Sequence, residues 1–294
     1  MFPGQGAQRP GMGAPWVDSP GWAVVARVSE VAGRDVAGLL LAADASTLQS
    51  TRNAQLATFT LSLVALAAVR ESPRVAAPVA FAGHSLGEYS ALVAAGALTE
   101  AEGTALVVER GEAMQAAADA GPGTMAALLA LDVEVVAGLV AGIDGCWVAN
   151  DNAPGQVVVS GTPSGVAAAG EAVRSAGGKV MALPVGGAFH SPLMAPAATR
   201  LEAALATARF ADTGSPIVAN VDATAHTDGP GWPGRLATQL CQPVRWRDSL
   251  GTLAGLGATR FIEIGPGSAL AGMVKRAVPD ATRLSVGAPA DLDA

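Results

Sequence analysis

The segment Gly83–Gly87, Gly-His-Ser-Leu-Gly, matches the pattern G-x-S-x-G, in which a serine acts as a nucleophile. The apolar run Val79–Ala82 precedes it and a stretch of helical composition, Glu88–Ala95, follows it, which predicts a strand, a sharp turn and a helix. Such a turn projects the Ser85 hydroxyl from the edge of a sheet. The N–H of Leu86 then lies at the start of the helix and is a natural donor to an oxyanion. A chance match in a glycine-rich chain is the alternative, and the flanking elements argue against it.

A serine nucleophile needs a base, because a free hydroxyl is almost fully protonated at neutral pH. The chain has three histidines, His84, His190 and His226. We expect His226 to be a solvated loop residue and His84 to be structural, because neighbouring residues at such a turn point in different directions. His190 is the candidate base by elimination. Carboxylates lie between Ser85 and His190, so the Ser, Asp/Glu, His order of an esterase or lipase stays open.

Arg110 lies inside a predicted helix, within Leu106–Met114, and has two interpretations. It could be a surface arginine paired with Glu109 or Glu112. It could also present its planar guanidinium inside a cleft, where the fork of donors would bind a substrate carboxylate with two hydrogen bonds.

The composition excludes several classes of protein. The chain has 294 residues, of which 50% are hydrophobic and 15% are charged, so it is not a disordered, charge-rich chain. A net charge of −7 argues against a nucleic-acid binder. Two cysteines, Cys146 and Cys241, form neither a disulfide framework nor a metal motif, which favours a reducing, cytoplasmic location. No secretory leader is visible, and the apolar stretch Leu56–Val69 is too short to span a bilayer.

The order of predicted elements indicates an α/β protein with a second domain inserted into the first. Helices are predicted at Trp22–Leu41, Ala54–Val69 and Ala101–Ala118. A glycine-rich boundary follows, and then the order βαββαβ, which is typical of a ferredoxin-like domain. The chain afterwards returns to α/β segments. The predicted helices and strands of these last two parts are Thr124–Leu131, Val133–Gly142, Cys146–Asn150, Gln156–Gly161, Pro163–Ala176, Lys179–Pro184, Ser191–Ala206, Ile217–Asn220, Gly234–Leu240, Arg260–Ile264 and Ser268–Ala277.

Several motifs together resemble the malonyl-CoA:acyl-carrier-protein transacylase family, which includes free-standing fatty-acid enzymes and the acyltransferases of polyketide synthases. Their joint order and spacing run over nearly the whole chain. The motifs are Phe2–Gln8, Asn53–Gln55, Gly83–Tyr89, Glu109–Gly111, Asn152–Val157, Gly187–Met194, Pro243–Trp246 and Glu263–Gly267.

The resemblance implies a fold and a set of site residues. The fold is an α/β-hydrolase-like large domain, residues 1–120 and 188–294, with an inserted ferredoxin-like small domain, residues 121–187. The implied roles cover the nucleophile, the base, the oxyanion hole and the substrate pocket. They are Ser85 as nucleophile, His190 as base, the carbonyl of Gln239 to orient that base, the N–H groups of Gln5 and Leu86 as oxyanion hole, and Arg110 and Gln55 as residues that bind the acyl carboxylate. A carbonyl at Gln239 would remove the need for an acidic third member.

The residue before the base is expected to select the acyl group. In polyketide acyltransferases a phenylalanine there accompanies malonyl, because its bulk would clash with an α-methyl group, so Phe189 favours malonyl. Malonyl-selective polyketide domains usually have histidine where this chain has Gly187, and a space left by that missing ring would relax the selectivity.

Relatives also usually carry a short strand before the Phe2 loop, so we expect a start further upstream or a sheet without that strand.

The implied reaction transfers malonyl from coenzyme A, through an ester on Ser85, to the phosphopantetheine thiol of an acyl carrier protein. No metal or permanently bound cofactor is implied, and the absence of a linker near the C-terminus favours a free-standing protein. Carrier proteins are generally acidic, so docking would need a basic patch. The candidates by clustering are Arg245, Arg247, Lys275 and Arg276.

Three alternatives and the choice of pathway stay open. An acyl hydrolase on the same scaffold would not need Arg110. A shuttle that moves an unusual acyl group between carrier proteins is the second alternative, and Arg110 argues against an uncharged acyl group there. A non-catalytic docking module would leave Ser85, His190 and Arg110 unexplained. Fatty-acid and polyketide synthesis need the same residues.

Overall fold

The first part of the chain is mostly helical in the computed structural model, which describes residues 1–293. The short strand β1 (Phe81–Ala82) leads into the glycine-rich turn, and a helix starts directly after it. The helices of this part are α1 (Ala23–Ala32), α2 (Val36–Leu41), α3 (Ala45–Gln49), α4 (Thr51–Glu71), α5 (Gly87–Ala95) and α6 (Glu100–Ala120).

The prediction of one helix over Trp22–Leu41 is wrong, because the chain breaks it into α1 and α2. Gly33 ends α1 in the left-handed conformation, with φ of 62°. The Asp35 carboxylate then accepts a hydrogen bond from the Gly38 N–H at 2.8 Å and begins α2. A glycine followed by a capping aspartate is a stop and start signal that apolar periodicity alone overlooks.

Helix α4 is the central helix of the core. It is the one helix among residues 1–293 that is long and apolar enough to cross a membrane by length and composition, and 78% of its most apolar window is buried inside the protein. It packs against α1, α2, α5 and α6. Its polar residues Thr58, Thr60 and Ser62 are buried with it.

Residues 124–182 form an antiparallel sheet covered by two helices, in the predicted order βαββαβ. The sheet has the strand order β3-β4-β2-β5. Its elements are β2 (Thr124–Leu129), α7 (Val133–Val140), β3 (Cys146–Ala153), β4 (Gln156–Gly161), α8 (Pro163–Ser175) and β5 (Lys179–Ala182). Strand β3 extends beyond its predicted end at Asn150, through two changes of register against β4.

The remaining elements complete two small parallel pairings. Strand β6 pairs with β1 and β9 pairs with β8, both in parallel, while β7 pairs antiparallel with β6. The elements are α9 (Ala195–Leu205), β6 (Ile217–Val218), β7 (Ala225–His226), α10 (Trp232–Gln239), α11 (Trp246–Gly255), β8 (Arg260–Ile264), α12 (Ala269–Ala277) and β9 (Thr282–Val286).

The sequence interpretation missed α11 and β9. Helix α11 buries Trp246, Leu250 and Leu253 on one face, a spacing of four and three residues that is typical of an amphipathic helix. Strand β9 is short and mostly polar, and only its last residue, Val286, is fully buried. This segment is a strand because it pairs with β8, and the sequence of the segment alone does not show that pairing.

The first two residues connect β1 with β8. The Phe2 N–H donates to the Ala82 carbonyl at 3.0 Å, and the Phe2 carbonyl accepts from the His84 N–H at 3.0 Å. Met1 bonds on the other side, to the Ile262 carbonyl at 2.8 Å and to the Ile264 N–H at 2.9 Å. The loop that follows Phe2 is therefore anchored on both sides.

Candidate active site

The nucleophile turn depends on three close backbone approaches. Ser85 has φ of 52°, a left-handed conformation that is strained for a residue with a side chain. A Cβ on Gly87 would lie 2.1 Å from the Phe2 carbonyl oxygen, and one on Gly83 would lie 1.9 Å from the Gly87 backbone. A Cβ on Gly4 would lie 2.5 Å from the His84 carbonyl. Glycines at these positions let the N-terminal loop and the turn pack backbone to backbone.

Ser85 and His190 form a hydrogen-bonded pair although 105 residues separate them. The Ser85 Oγ lies 2.7 Å from Nε2 of His190, and Nδ1 of His190 lies 2.8 Å from the main-chain oxygen of Gln239. A carbonyl oxygen only accepts, so Nδ1 carries the proton and Nε2 is free to accept the hydroxyl proton of Ser85. The predicted orientation of the histidine by the Gln239 carbonyl has this geometry.

The His190 ring is held as a neutral base. Burial and, to a smaller extent, the nearby Arg110 cation lower its pKa to about 3. The side chain is 4% exposed, and the backbone is left-handed with φ of 57°. At neutral pH the imidazole is therefore unprotonated and ready to accept a proton.

Arg110 is buried beside the Ser85 hydroxyl and has no direct carboxylate partner among residues 1–293. It is 1% exposed. Its Nη2 donates to the Ser85 Oγ at 3.1 Å and to the Gln239 Oε1 at 3.0 Å, and its Nη1 donates to the Gln55 Oε1 at 2.7 Å. Its Nε has no hydrogen-bond partner there, and its guanidinium lies 5.6 Å from the Tyr89 ring centre.

The surface interpretation of Arg110 is wrong. Glu109 instead pairs with Arg200 at 2.5 Å, and Glu112 pairs with Arg52 at 3.1 Å. Burial lowers the pKa of Arg110, and a buried cation held only by amides and a hydroxyl retains capacity to bind an anion.

The loop after Phe2 places Gln5 next to the nucleophile turn. Gly4 packs on the His84 carbonyl, so Gln5 follows directly after this contact. Leu86 is fully buried and immediately precedes α5. Hydrogen bonds of Phe2 to both Ala82 and His84 fix the start of this loop against the turn.

Phe189 fills the space that the glycine two residues earlier leaves. Phe189 is 5% exposed. A Cβ on Gly187 would lie 2.5 Å and 2.8 Å from two ring atoms of Phe189 and 3.1 Å from the Cβ of Ala118. The expectation of an open space at Gly187 is therefore wrong: the phenyl ring occupies it.

The other two histidines lie outside the Ser85–His190 pair. The Nε2 of His84 is 2.8 Å from the Oδ1 of Asn152, and its ring packs edge-on to Trp246. Asn152 lies in the irregular end of β3, so this contact joins the inserted sheet to the turn. His226 lies in β7 and bonds to Asp222 at 2.9 Å, so it is a paired strand residue rather than a solvated loop residue.

Two residues near Ser85 received no role from the sequence. Asn220, two residues after β6, accepts a hydrogen bond from the Ser85 N–H at 2.7 Å through Oδ1 and donates to the Gly83 carbonyl at 2.7 Å through Nδ2. Glu88, which directly follows the turn, is 1% exposed and bonds to Asn220 and Gln239. A polar residue that ends a buried apolar strand was the available signal for Asn220.

The predicted basic docking patch is partly neutralised. Arg245 pairs with Asp248 at 2.8 Å, and Arg247 pairs with Asp151 at 2.9 Å and with Glu134 at 3.2 Å. Lys275 and Arg276 are exposed at the end of α12 and form no ion pair among residues 1–293, while Arg276 bonds to Gln156. In that range no group of three His, Cys, Asp or Glu side chains is placed to hold a metal ion.

A strained serine, a neutral histidine and a buried arginine together form a site suited to acyl transfer through a serine ester. Residues 1–289 match the family model described as acyl transferase domain, and the chain belongs to this family.

Several proteins similar to this chain are named for a malonyl transfer activity. The chain is 41% identical to a malonyl CoA-acyl carrier protein transacylase of Bacillus subtilis (strain 168), over 94% of this chain and 89% of that protein. An acyl-carrier-protein S-malonyltransferase from Burkholderia pseudomallei 1710b superposes with a TM-score of 0.95 at 37% identity, over 99% of this chain and 96% of the other. A malonyl-transacylase solved in complex with a type II PKS acyl-carrier protein superposes with a TM-score of 0.94 at 33% identity, over 99% and 96%.

Proposed function

We propose that this chain transfers malonyl from coenzyme A to the phosphopantetheine thiol of an acyl carrier protein, through an ester on Ser85. Arg110 is the observation that carries the proposal. It is a fully buried cation 3.1 Å from the nucleophile oxygen, and its nearest partners are neutral. A malonyl carboxylate gives Arg110 a directly bonded anionic partner beside the hydroxyl that attacks the thioester.

The first half of the reaction forms the ester. His190 Nε2 takes the hydroxyl proton while the Ser85 Oγ attacks the thioester carbon. The N–H groups of Gln5 and Leu86 stabilise the oxyanion that develops. The tetrahedral intermediate then breaks its carbon–sulfur bond, and the coenzyme A thiolate leaves with the proton from His190.

The second half returns the enzyme to its starting state. The carrier thiol gives its proton to His190 and attacks the ester carbon. The carbon–oxygen bond to Ser85 breaks, and His190 returns the proton to the serine oxygen. The Gln239 carbonyl keeps Nε2 of the imidazole directed towards Ser85 in both halves.

The acyl pocket is formed by Gln55, Arg110 and Phe189. Gln55 is fully buried and aligns Arg110 through its Oε1. Phe189 directly precedes His190, and we expect the bulk of its buried ring to clash with an α-methyl group. Malonyl is therefore the preferred acyl group, and coenzyme A enters as part of the substrate rather than as a resident cofactor.

The domain division belongs to the same proposal. Residues 121–187 form a ferredoxin-like domain, and residues 1–120 and 188–294 an α/β-hydrolase-like domain. The sheet of β2 to β5 with α7 and α8 has its own apolar cluster, which supports a separate folding unit.

The cysteines Cys146 and Cys241 are free thiols, which supports a reducing, cytoplasmic location.

The test is the intact mass of the protein after brief exposure to malonyl-CoA, methylmalonyl-CoA and acetyl-CoA. We expect a malonyl adduct that is absent in Ser85→Ala and disappears when holo carrier protein is added. Arg110→Ala should slow malonyl acylation by roughly 100-fold, since it removes a charge-assisted contact of about 3 kcal/mol. Arg200→Ala, which removes a surface arginine bound to Glu109, is the matched control.

Two results would contradict the proposal. An adduct that forms equally well in Arg110→Ala would remove the carboxylate-binding role. An adduct that water removes as fast as carrier protein does would favour the acyl hydrolase instead.

A further inference from the structure

Glu88 is a buried carboxyl group that the mechanism above does not use. It lies on the first turn of α5, three residues after the nucleophile, and it is 1% exposed. Both of its oxygens accept hydrogen bonds. Oε1 accepts from the main-chain N–H of Asn220 at 2.6 Å, and Oε2 accepts from Nε2 of Gln239 at 2.6 Å.

Through these two partners Glu88 reaches both sides of the nucleophile peptide. Asn220 accepts from the Ser85 N–H at 2.7 Å, and the Gln239 amide donates to the Ser85 carbonyl at 3.0 Å. The left-handed backbone of Ser85 is strained, so it persists only where its surroundings hold it. Asn220 and Gln239 supply that restraint, and Glu88 holds each of them.

The same amide links Glu88 to Arg110. The Gln239 Oε1 accepts from the Arg110 Nη2 at 3.0 Å, while its Nε2 faces Glu88. A guanidinium can only donate and a carboxylate can only accept, so the cation and the anion impose the same orientation on the amide. When Glu88 is ionised, the Gln239 side chain is thus fixed between two opposite charges.

We propose that Glu88 is a positioning residue for the transfer: as a carboxylate it orients the Gln239 amide, and thereby holds Arg110 and the Ser85 backbone in the geometry that accepts a carboxylated acyl group. The inference rests on the proposed function, because the geometry has a use only if Arg110 binds the acyl carboxylate and Ser85 attacks.

The donor pattern separates this role from simple space filling. Both partners of Glu88 are N–H donors, so an amide at this position would turn its own NH₂ group towards one of them. Asn220 offers a main-chain N–H and cannot turn. If the Gln239 amide flipped instead, its NH₂ would face Arg110 and its oxygen would face the Ser85 carbonyl. Glu88→Gln therefore disturbs the site although its shape is unchanged.

The ionisable groups around Glu88 give the role a pH signature. Burial raises the pKa of Glu88 to about 8, while Arg110 on α6 lowers it and Asp222, after β6, raises it. Tyr89, next to Glu88 on α5, is neutral over the working range because burial raises its pKa. Burial lowers the pKa of His190 to about 3, so the base does not titrate near neutrality.

The experiment measures the rate of Ser85 acylation from pH 6.5 to 9.5 with malonyl-CoA and acetyl-CoA. In the unmodified protein we expect malonyl acylation to rise as pH increases through about 8, because the ionised carboxylate is the positioning form. In Glu88→Gln the rise should disappear, and the preference for malonyl over acetyl should fall at least about 10-fold. Thermal unfolding of each variant establishes the folded fraction.

Glu263→Gln is the matched control. Glu263 is also buried and accepts two main-chain N–H bonds, from Leu270 and Ala271, but it contacts neither Ser85, His190 nor Arg110. Its variant should lose stability and keep the pH rise and the malonyl preference. A folded Glu88→Gln protein with an unchanged pH profile and preference would overturn the inference while the proposed function stands. An unmodified protein that forms no Ser85 adduct would overturn the function, and the inference with it.

Discussion

At the scale of single residues, charge and hydrogen-bond direction decide what the site can do. His190 is neutral because it is buried near Arg110, and its proton lies on Nδ1 because Gln239 offers a carbonyl. Arg110 lacks a carboxylate partner among residues 1–293 because its contacts are a serine and two glutamines. The neutral form of His190 and the free binding capacity of Arg110 are therefore set by the neighbours of these residues, not by their residue types.

The position of the Phe189 ring depends on the missing side chain at Gly187. A Cβ there would lie 2.5 Å from the ring, so Gly187→Ala must push the ring out of its place. We expect the ratio of malonyl to methylmalonyl acylation rates to fall about 10-fold or more, since displacements near 1 Å cost at least this much in a preorganised site. The measurement is the ratio of malonyl to methylmalonyl acylation rates.

Gly186→Ala is the neighbouring control, because a Cβ at Gly186 would meet nothing within 4 Å. If Gly187→Ala kept the ratio of the unmodified protein while Phe189→Ser changed it, the ring would select the acyl group without needing the space at Gly187.

At the scale of elements, the site is assembled from the ends of helices and strands. Ser85 lies between β1 and α5, Asn220 follows β6, and Gln239 ends α10. Arg110 is the exception, since it lies in the middle of α6. Its position is therefore set by where that helix begins and how it packs on α4 and α9.

The start of α6 is fixed by a reciprocal cap. The Thr99 Oγ1 accepts from the Glu102 N–H at 3.1 Å, and the Glu102 carboxylate accepts from the Thr99 N–H at 3.0 Å. We expect Thr99→Ala to lower the free energy of unfolding by about 1 kcal/mol. Chemical denaturation measures it, and acylation per folded molecule should stay unchanged because Arg110 lies three turns away.

Thr207→Ala removes an exposed hydroxyl that bonds only to the Ala204 carbonyl, and serves as the comparison for a threonine without a capping role. Equal losses in the two variants would contradict the capping explanation.

At the scale of the whole molecule, two buried titratable groups couple the site to stability in opposite directions. Burial lowers the pKa of His190 to about 3, so below pH 6.5 the unfolded chain binds a proton that the folded protein refuses. Stability therefore falls as pH decreases below 6.5. Burial raises the pKa of Glu88 to about 8, so the folded protein keeps a proton on Glu88 that the unfolded chain has already released. The stability that this proton gives the folded state is lost as pH rises through about 8.

We expect His190→Asn to flatten the loss of stability between pH 6.5 and 4. Asparagine tolerates the left-handed backbone at this position, so the variant removes the titrating ring with little added strain. Urea unfolding at several pH values gives the two slopes. Parallel slopes in both proteins would show that another group causes the acid sensitivity.

The amount that sequence could predict differs between local and distant features. The strand, turn and helix around Ser85 are neighbours in the chain, and their order was predicted correctly, as was the order βαββαβ of residues 124–182. The break at Gly33 was missed although its signal was local. Of the partners of Ser85, His190 followed from elimination among three histidines, whereas Gln239 came from the family resemblance alone.

By itself the sequence determined which residues have the chemistry: a serine on a glycine turn, few histidines, and an arginine inside a predicted helix. Only the tertiary structure decided how they are arranged, that Arg110 is buried with no directly bonded carboxylate among residues 1–293, and that Glu88 holds both Asn220 and Gln239. These contacts join residues 25 to 154 positions apart. The physical reason is that hydrogen-bond direction and desolvation depend on distant neighbours, and these neighbours are brought together only when the core around α4 has packed.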